Sequence, residues 1–304
     1  MNMDEYFVLF REYMLVQKPS SVNTRDSYLR DVSAFLRYLE GENITSPLEV
    51  ETETVEAYVQ HLHSLNRTNS TISRNIASVR CFYKFLILRG DMQVNPAKSV
   101  KLEKEPKKLP QTLTSEEIDL LLSQPNVTEA KGCRDKAMLE LLYATGIRVS
   151  ELINLNVQDI NLRTGKLFCR GTKGVRTIPI YAKAVVAVSD YLYRMRDLIV
   201  DPDNSGDALF VNLNGSRLTR QGFWKIIKAY TAEAGITKEI TPHTLRHSFA
   251  MHLLQGGASV KDIQTMMGHA DISSTQVYVH LLDLDNHVKS VYNECHPRAK
   301  NELI

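Results

Sequence analysis

Four short segments between Ala144 and Tyr278 carry side chains that could together cleave a phosphodiester. The candidate catalytic residues within them are Arg148, Lys173, His243, Arg246, His269 and Tyr278. Each arginine can donate two hydrogen bonds to the non-bridging phosphate oxygens. These bonds stabilise the negative charge that builds up in the transition state. Lysine can protonate the leaving oxygen, and tyrosine can accept the phosphoryl group covalently. This set of residue types predicts phosphodiester cleavage without a metal ion.

Each candidate also has an ordinary structural explanation when it is considered alone. Arg148 could form a surface ion pair with Glu151, the supporting carboxylate three residues later in the sequence. Such exposed pairs contribute little to the stability of a protein. Tyr278 lies on the apolar face of a predicted helix, where most tyrosines belong to the core. As a nucleophile its phenol, with a pKa of about 10, would need neighbouring cations or a base.

Three histidines on one predicted helix raise the alternative of a metal-dependent phosphodiesterase. His243 and His247 are four residues apart, and His252 follows. Zinc hydrolases place a glutamate between such histidines, whereas this chain has the cation Arg246 there, which disfavours a divalent metal. Loss of activity in a chelator would reveal such an enzyme.

The predicted elements place these segments at helix ends and in a turn. His243 and Arg246 share one face at the start of a helix over 242–255, where an anion is well bound. Arg148 follows Gly146, which ends a helix over 131–145. Lys173 lies in a hairpin turn between strands over 166–170 and 175–180. Further helices are predicted over 182–199, 219–234, 259–267 and 273–281.

The first hundred residues are predicted to be helical. Apolar residues recur at three- and four-residue spacing in three stretches. These stretches are Thr24 to Leu39, Val55 to Leu62, and Ile72 to Leu86. In the third stretch Arg74, Arg80 and Lys84 fall off the apolar stripe and form a tentative DNA-binding face.

Charge distribution supports a contact with phosphates without requiring it. The net charge is only +2, but residues 61–108 hold ten basic and three acidic residues, a local excess of 10 − 3 = +7. Such a block is equally typical of a solvated, lysine-rich linker. Residues 95–110 lack an apolar period and are rich in lysine and proline, so we expect an extended interdomain linker. The sequence TSEE from Thr114 to Glu117 predicts a capping box that opens the second domain.

Length and composition exclude several classes of protein. The 304 residues suggest two domains, and 43% apolar with 24% charged residues is ordinary globular usage. No apolar run approaches the roughly 18 residues that span a bilayer, and the acidic N-terminus is unlike a secretory signal. The four cysteines form no CxxC pair, which favours reduced thiols in the cytoplasm.

Together the motifs resemble those of the tyrosine recombinases of the integrase family, in particular the Xer type. The resemblance runs from about Glu5 to Ala299 and is carried by ATGIRVSEL, HTLRHSFAMHLL, MMGHADISSTQVYVH and ECHPRA. It implies that Tyr278 is the nucleophile and that the other five candidates activate the scissile phosphate. Ile147 stands where leucine or methionine is usual, and residues 301–304 extend beyond the usual end.

The resemblance also implies an architecture. We expect a mostly α protein with a small β-hairpin or sheet, forming a two-domain C-shaped clamp on DNA. Residues 1–100 would be a helical, SAM-like core-binding domain and 101–111 a basic linker. Residues 112–304 would be the catalytic domain, which ends in an exchange helix. The apolar stripe over 284–293 predicts that helix, and the resemblance implies that it docks on a neighbouring protomer rather than on its own domain.

The activity implied is site-specific recombination through a 3′-phosphotyrosyl intermediate and a Holliday junction, with no cofactor. The implied role is the resolution of chromosome dimers. The implied partners are a duplex DNA recombination site, a homotetramer or a heterotetramer with a related recombinase, and an activating DNA translocase; no membrane is involved. Three alternatives stay open at this point: an integrase of a phage or mobile element, a non-catalytic DNA-binding protein with an inert Tyr278, and the metal-dependent phosphodiesterase that would use the histidine cluster.

Overall fold

A computed structural model describes residues 1–16, 22–102, 110–171, 174–269, 274–279 and 281–282. The chain divides into two compact units, Met1–Lys107 and Lys108–Ile304. The structure is mostly helical with one small antiparallel sheet, so the predicted fold class is confirmed. No helix in the described part of the chain is long and apolar enough to cross a membrane.

The first unit consists of four helices packed around one core. They are α1 (Met3–Val16), α2 (Val22–Gly41), α3 (Thr52–Ser64) and α4 (Asn69–Arg89). The predicted stripes of α3 and α4 are confirmed as buried faces, and that of α2 is confirmed from Val32 to Leu39, whereas Thr24 is exposed and Tyr28 is half-buried. Helix α4 begins where the Thr68 side chain accepts from the Thr71 amide, and it ends at Gly90, whose φ of 84° suits glycine.

Part of the predicted linker belongs instead to the first unit. Ala97 and Val100 are 0% and 3% exposed and lie in its core. Arg80 fixes this segment by donating to the carbonyl oxygens of Ala97 and Val100, both at 2.8 Å. The extended-linker prediction is therefore wrong for residues 95–100. Ala97 and Val100 are only two apolar residues, and such a short pattern does not indicate burial in the sequence.

The described residues of the second unit form a further set of α-helices. They are α5 (Ser115–Ser123), α6 (Ala130–Thr145), α7 (Val149–Asn154), α8 (Ala182–Asp190), α9 (Pro202–Ser205), α10 (Arg220–Glu233), α11 (Pro242–Gln255) and α12 (Val260–Met267). Residues 274–279 are also helical. The predicted capping box is present, with reciprocal bonds between Thr114 and Glu117. The predicted helix over 182–199 is helical through Leu198, but only α8 is α-helical, since it continues as a π-helix over Tyr191–Met195 and a 3-10 turn over Arg196–Leu198.

The sheet has the order β1-β2-β3, with both pairs antiparallel. Its strands are β1 (Ile160–Asn161), β2 (Lys166–Gly171) and β3 (Gly174–Pro179). The predicted hairpin is confirmed, whereas β1 was not predicted. Gly171 pairs with Gly174 at the end of the hairpin, and Thr172 and Lys173 are the residues between them in the sequence. Both turn residues lie outside the described part of the chain, as do residues 284–293 of the predicted tail helix.

Candidate active site

Two glycines end the helices from which the site is built. Gly146 ends α6 with a φ of 58°, and a Cβ there would lie 2.2 Å from the Phe249 ring of α11. Gly268 ends α12 with a φ of 64°, and a Cβ there would lie 2.9 Å from the Arg176 guanidinium. The left-handed φ at both positions favours glycine, and at Gly146 the Phe249 ring also leaves no room for a Cβ. The end of α6 therefore lies against α11 at Gly146, and the end of α12 lies against β3 at Gly268.

Arg148 is oriented by Glu151, as the sequence predicts. It is the first residue before α7, and its amide donates to Glu151 Oε2 at 2.7 Å. One guanidinium nitrogen donates to Glu151 Oε1 at 3.3 Å and the other to the Gly268 carbonyl at 3.1 Å. The side chain is still 41% exposed. It is therefore fixed at one edge and open to an incoming anion.

Arg246 is buried next to this pair. It is 4% exposed and donates to the carbonyl oxygens of Gly146 and Met267, the latter at 2.7 Å. Burial and the charge of Arg148 lower its pKa to about 10, so it is still a cation at neutral pH. Arg148 and Arg246 thus bind the consecutive carbonyls of Gly268 and Met267, immediately before His269.

Arg176 is a member of the site that the sequence analysis missed. It lies on β3 and donates to both carboxylate oxygens of Glu151 at 2.9 Å and to the Met266 carbonyl at 2.9 Å. These bonds tie the hairpin to α7 and to the end of α12. Hydrogen bonds from Arg148 and Arg176 hold the Glu151 carboxylate ionised, so its pKa is lowered despite burial. Arg176 therefore fixes the residue that orients Arg148.

The site carries an excess of positive charge. Among the described residues, Glu151 is the only carboxylate that hydrogen-bonds to Arg148 or Arg176, and Arg246 bonds only to carbonyl oxygens. Three guanidinium charges against one carboxylate leave two positive charges without a partner. Such an arrangement is suited to a bound anion, and a phosphodiester is an anion that arginines recognise well.

Two histidines lie close to the arginines in their neutral forms. His243 is exposed at the start of α11, and partial desolvation together with Arg220, Arg246 and Arg148 lowers its pKa. Burial and the neighbouring arginines lower the pKa of His269 to about 4, and its Nδ1 is 2.8 Å from the Thr275 hydroxyl. His252, the third histidine of the predicted helix, has a different partner: its Nδ1 forms a hydrogen bond with the Tyr143 hydroxyl at 2.8 Å.

Tyr278 is buried, and its hydroxyl bonds to a histidine. It is 2% exposed and packs against α11 and α12 in a cluster with Phe249, Met251 and Met267. Its hydroxyl is 2.7 Å from His247 Nδ1. Burial raises its pKa to about 12, although Arg246 opposes this. The structure thus brings Arg148, Arg246, His269 and Tyr278 to one place, while Lys173 lies outside the described residues.

Arg176→Met is expected to slow DNA cleavage by about ten- to hundredfold, because displacing a catalytic group by 1 Å can cost this much. Methionine has a similar length but cannot hold Glu151, so Arg148 loses part of its support. Arg176→Lys should recover some of the rate. The measurement is single-turnover cleavage together with DNA affinity. A rate within a factor of about two of the parent would show that Glu151 alone positions Arg148.

The free energy of unfolding is expected to rise with pH between about 4 and about 6.5. The pKa values of His247 and His269 are lowered to about 4 by burial, below the usual value of about 6.5. Across this range the unfolded chain binds protons that the folded chain does not, so raising the pH favours folding until about 6.5. Urea titrations at several pH values measure this. The slope should be shallower in His247→Asn, and an unchanged slope would contradict the assignment to this residue.

Comparison with known proteins gives a consistent result over the whole chain. The phage integrase family matches residues 111–284, and the N-terminal SAM-like domain of phage integrases matches residues 7–90. The chain is 44% identical over 293 residues to the tyrosine recombinase XerD of Oceanobacillus iheyensis, covering 95% of this chain and 97% of that protein. It is 39% identical over 301 residues to the tyrosine recombinase XerC of Roseiflexus castenholzii, covering 98% and 94%.

A solved structure also has the same fold. The crystal structure of the XerH site-specific recombinase in a post-cleavage complex with a palindromic difH substrate matches with a TM-score of 0.77. The two chains are 19% identical, and the match covers 96% of this chain and 90% of that one.

Proposed function

The chain belongs to the phage integrase family of tyrosine recombinases, and we propose that it cuts and rejoins duplex DNA at a specific site through a covalent 3′-phosphotyrosyl intermediate. The observation that carries this function is the unbalanced positive charge of Arg148 and Arg246 beside Tyr278. Arg148 and Arg246 donate hydrogen bonds to the carbonyl oxygens of Gly268 and Met267, immediately before His269. The helical segment 274–279, which carries the tyrosine, follows in the sequence.

The proposed reaction needs no external energy source. The Tyr278 hydroxyl loses its proton to solvent as its oxygen attacks the phosphorus, and the bond from phosphorus to the 5′ oxygen breaks. The arginines stabilise the negative charge on the non-bridging oxygens, and Lys173 protonates the leaving 5′ oxygen. The 5′ hydroxyl of a second strand then attacks the phosphotyrosine and releases Tyr278. Each transfer makes one P–O bond and breaks one, so the bond energy is conserved.

His243 and His269 are proposed to assist at the phosphate. A neutral imidazole can donate one hydrogen bond to a non-bridging oxygen while its other nitrogen accepts a bond. The lowered pKa of each ring keeps it neutral in the absence of DNA. A bound phosphate would bring a negative charge that favours the protonated ring, so DNA binding is expected to raise these pKa values.

The biological role that we propose is the resolution of chromosome dimers in the cytoplasm. Four protomers would act on two sites, as a homotetramer or together with a related recombinase, and a DNA translocase would activate them. The names XerD and XerC of the curated relatives support the pairing of two recombinases. We also propose that residues 1–100 bind the core of the site and that residues 112–304 carry the catalysis.

The decisive experiment is covalent capture on nicked DNA. A suicide substrate carries a nick close to the scissile phosphate, so that a short fragment diffuses away after cleavage and religation fails. With the correct site we expect a protein–DNA adduct that survives denaturant and EDTA, and that maps to Tyr278 by peptide mass spectrometry. An adduct on another residue, or cleavage abolished by EDTA, would contradict the proposal.

The proposed DNA-binding face on α4 can be tested by removing its positive charge. Arg74 and Lys84 are exposed, and Arg74 bonds the buried Asp31 at 3.1 Å. Arg80 holds the segment after α4, so it is left in place in the test variant. Replacing Arg74 and Lys84 with glutamine should weaken DNA binding. The log–log salt slope should fall by about 0.9 for each DNA phosphate that the variant no longer neutralises.

The control for this prediction removes the same charge elsewhere on the first unit. Arg37 and Arg67 are exposed basic residues outside α4. The double glutamine variant of these two should keep the parental slope. If both double variants reduce the slope equally, the effect comes from net charge and not from the face on α4.

A further inference from the structure

The Tyr278 hydroxyl is withdrawn from the surface in this structure. The side chain is 2% exposed, and His247 is the only described residue that hydrogen-bonds its hydroxyl, at 2.7 Å. A nucleophile must reach a phosphate bound at the open edge of Arg148, and a buried hydroxyl cannot do so. Cleavage therefore requires Tyr278 to leave this position. Its packing against Phe249, Met251 and Met267 opposes the departure, and so does the hydrogen bond to His247.

The direction of that hydrogen bond follows from the two pKa values. Burial lowers the pKa of His247 to about 4 and raises that of Tyr278 to about 12. At neutral pH the imidazole is therefore neutral and the phenol is protonated, so the hydroxyl donates and Nδ1 accepts. An acceptor so much less basic than the phenolate does not remove its proton. In this arrangement His247 holds the tyrosine and is not its general base.

The geometry points to His247 as a positioning residue: it holds Tyr278 inward and protonated until DNA is engaged, and cleavage begins when this bond is broken. This inference rests on the proposed function of Tyr278 as nucleophile. His247 adjoins Arg246 on α11, so the helix that carries the phosphate-binding arginine also holds the nucleophile. A second tie runs from His269 to Thr275, three residues before Tyr278 on the same helical segment.

The test measures the accessibility of Tyr278 directly, in the full-length protein without DNA. Tetranitromethane nitrates accessible tyrosines, and peptide mass spectrometry resolves the sites. Tyr193, at 72% exposed, and Tyr83, at 0% exposed, are internal references for fast and slow reaction. In the parent protein Tyr278 should react about as slowly as Tyr83. If it reacts as fast as Tyr193, the tyrosine is not withdrawn and the inference is wrong, whatever the variants do.

Two variants separate the hydrogen bond from the packing. His247→Phe keeps an aromatic ring and removes the acceptor, whereas His247→Asn places an acceptor oxygen near the position of Nδ1. In the phenylalanine variant the nitration of Tyr278 should rise about three- to tenfold, the range expected for the loss of one hydrogen bond. In the asparagine variant it should stay near the parental rate, with Tyr193 unchanged in both.

Covalent capture on the suicide substrate supplies the functional readout. His247→Phe should form the adduct at least as fast as the parent, because release of the tyrosine is easier. Slower capture in both variants, with nitration of Tyr278 unchanged, would assign His247 to the cleavage step and overturn the inference. If nitration behaves as expected but no protein forms an adduct at Tyr278, the proposed function fails while the withdrawn tyrosine stands.

Discussion

Tyr278→Phe should abolish formation of the covalent DNA adduct while leaving the affinity for DNA nearly unchanged. The variant lacks only the phenolic oxygen, which is the proposed nucleophile. Its ring can keep the packing against Phe249, Met251 and Met267. Loss of the bond to His247 should cost about 1 kcal/mol of stability, which is too little to unfold a domain. The expected rate loss is therefore complete, and the expected structural change is small.

The measurement combines a denaturing gel for the adduct with a gel-shift titration for binding. Tyr193→Phe is the matched control, since it removes the same atom from a side chain that is 72% exposed. This control should cleave at the parental rate. A normal adduct from Tyr278→Phe would mean that another residue is the nucleophile, and loss of binding would mean that the tyrosine serves the fold.

Much of the fold could be predicted because helices with one apolar face repeat a local pattern. Helices α2, α3 and α4 each follow such a stripe, and Thr114 with Glu117 forms the predicted capping box. Helix α1 lies in the part of the chain predicted to be helical, but its apolar stripe was not identified, although Met3, Tyr6, Phe10 and Met14 have helical spacing and are its buried residues. Strand β1 has two residues and is too short to show alternation.

The site was predicted only in part, because the hydrogen bonds that complete it join distant parts of the chain. Arg176 binds Glu151 from 25 residues away, and His247 binds Tyr278 from 31 residues away. Local spacing carries no signal for either bond. His247 was noticed only as a potential metal ligand through its spacing from His243. The clearest local signal for Arg176 is its position on the strand that follows the turn with Lys173, since a strand residue so placed can lie beside the site.

The two central arginines, Arg148 and Arg246, should differ in how much each contributes to stability. Arg148→Ala and Arg246→Ala should each slow cleavage by at least about 10²–10³, the usual cost of losing one donor to a developing oxyanion. Arg148 is 41% exposed, and after its removal Arg176 still holds the Glu151 carboxylate. Arg148→Ala should therefore unfold at nearly the parental urea concentration.

Arg246→Ala should lose stability as well as activity. Its guanidinium bonds the carbonyls of Gly146 and Met267, which end α6 and α12, and it is 4% exposed. Each buried carbonyl left without a donor costs about 1–3 kcal/mol, so the unfolding midpoint should fall clearly. Arg246→Lys can restore one of the two bonds and should recover part of the stability but little of the rate, since a single ammonium cannot bond both carbonyls and also reach a phosphate. If the two alanine variants are equally stable, Arg246 acts only in binding the phosphate. If both variants cleave at near-parental rates, neither arginine has a catalytic role and both are structural.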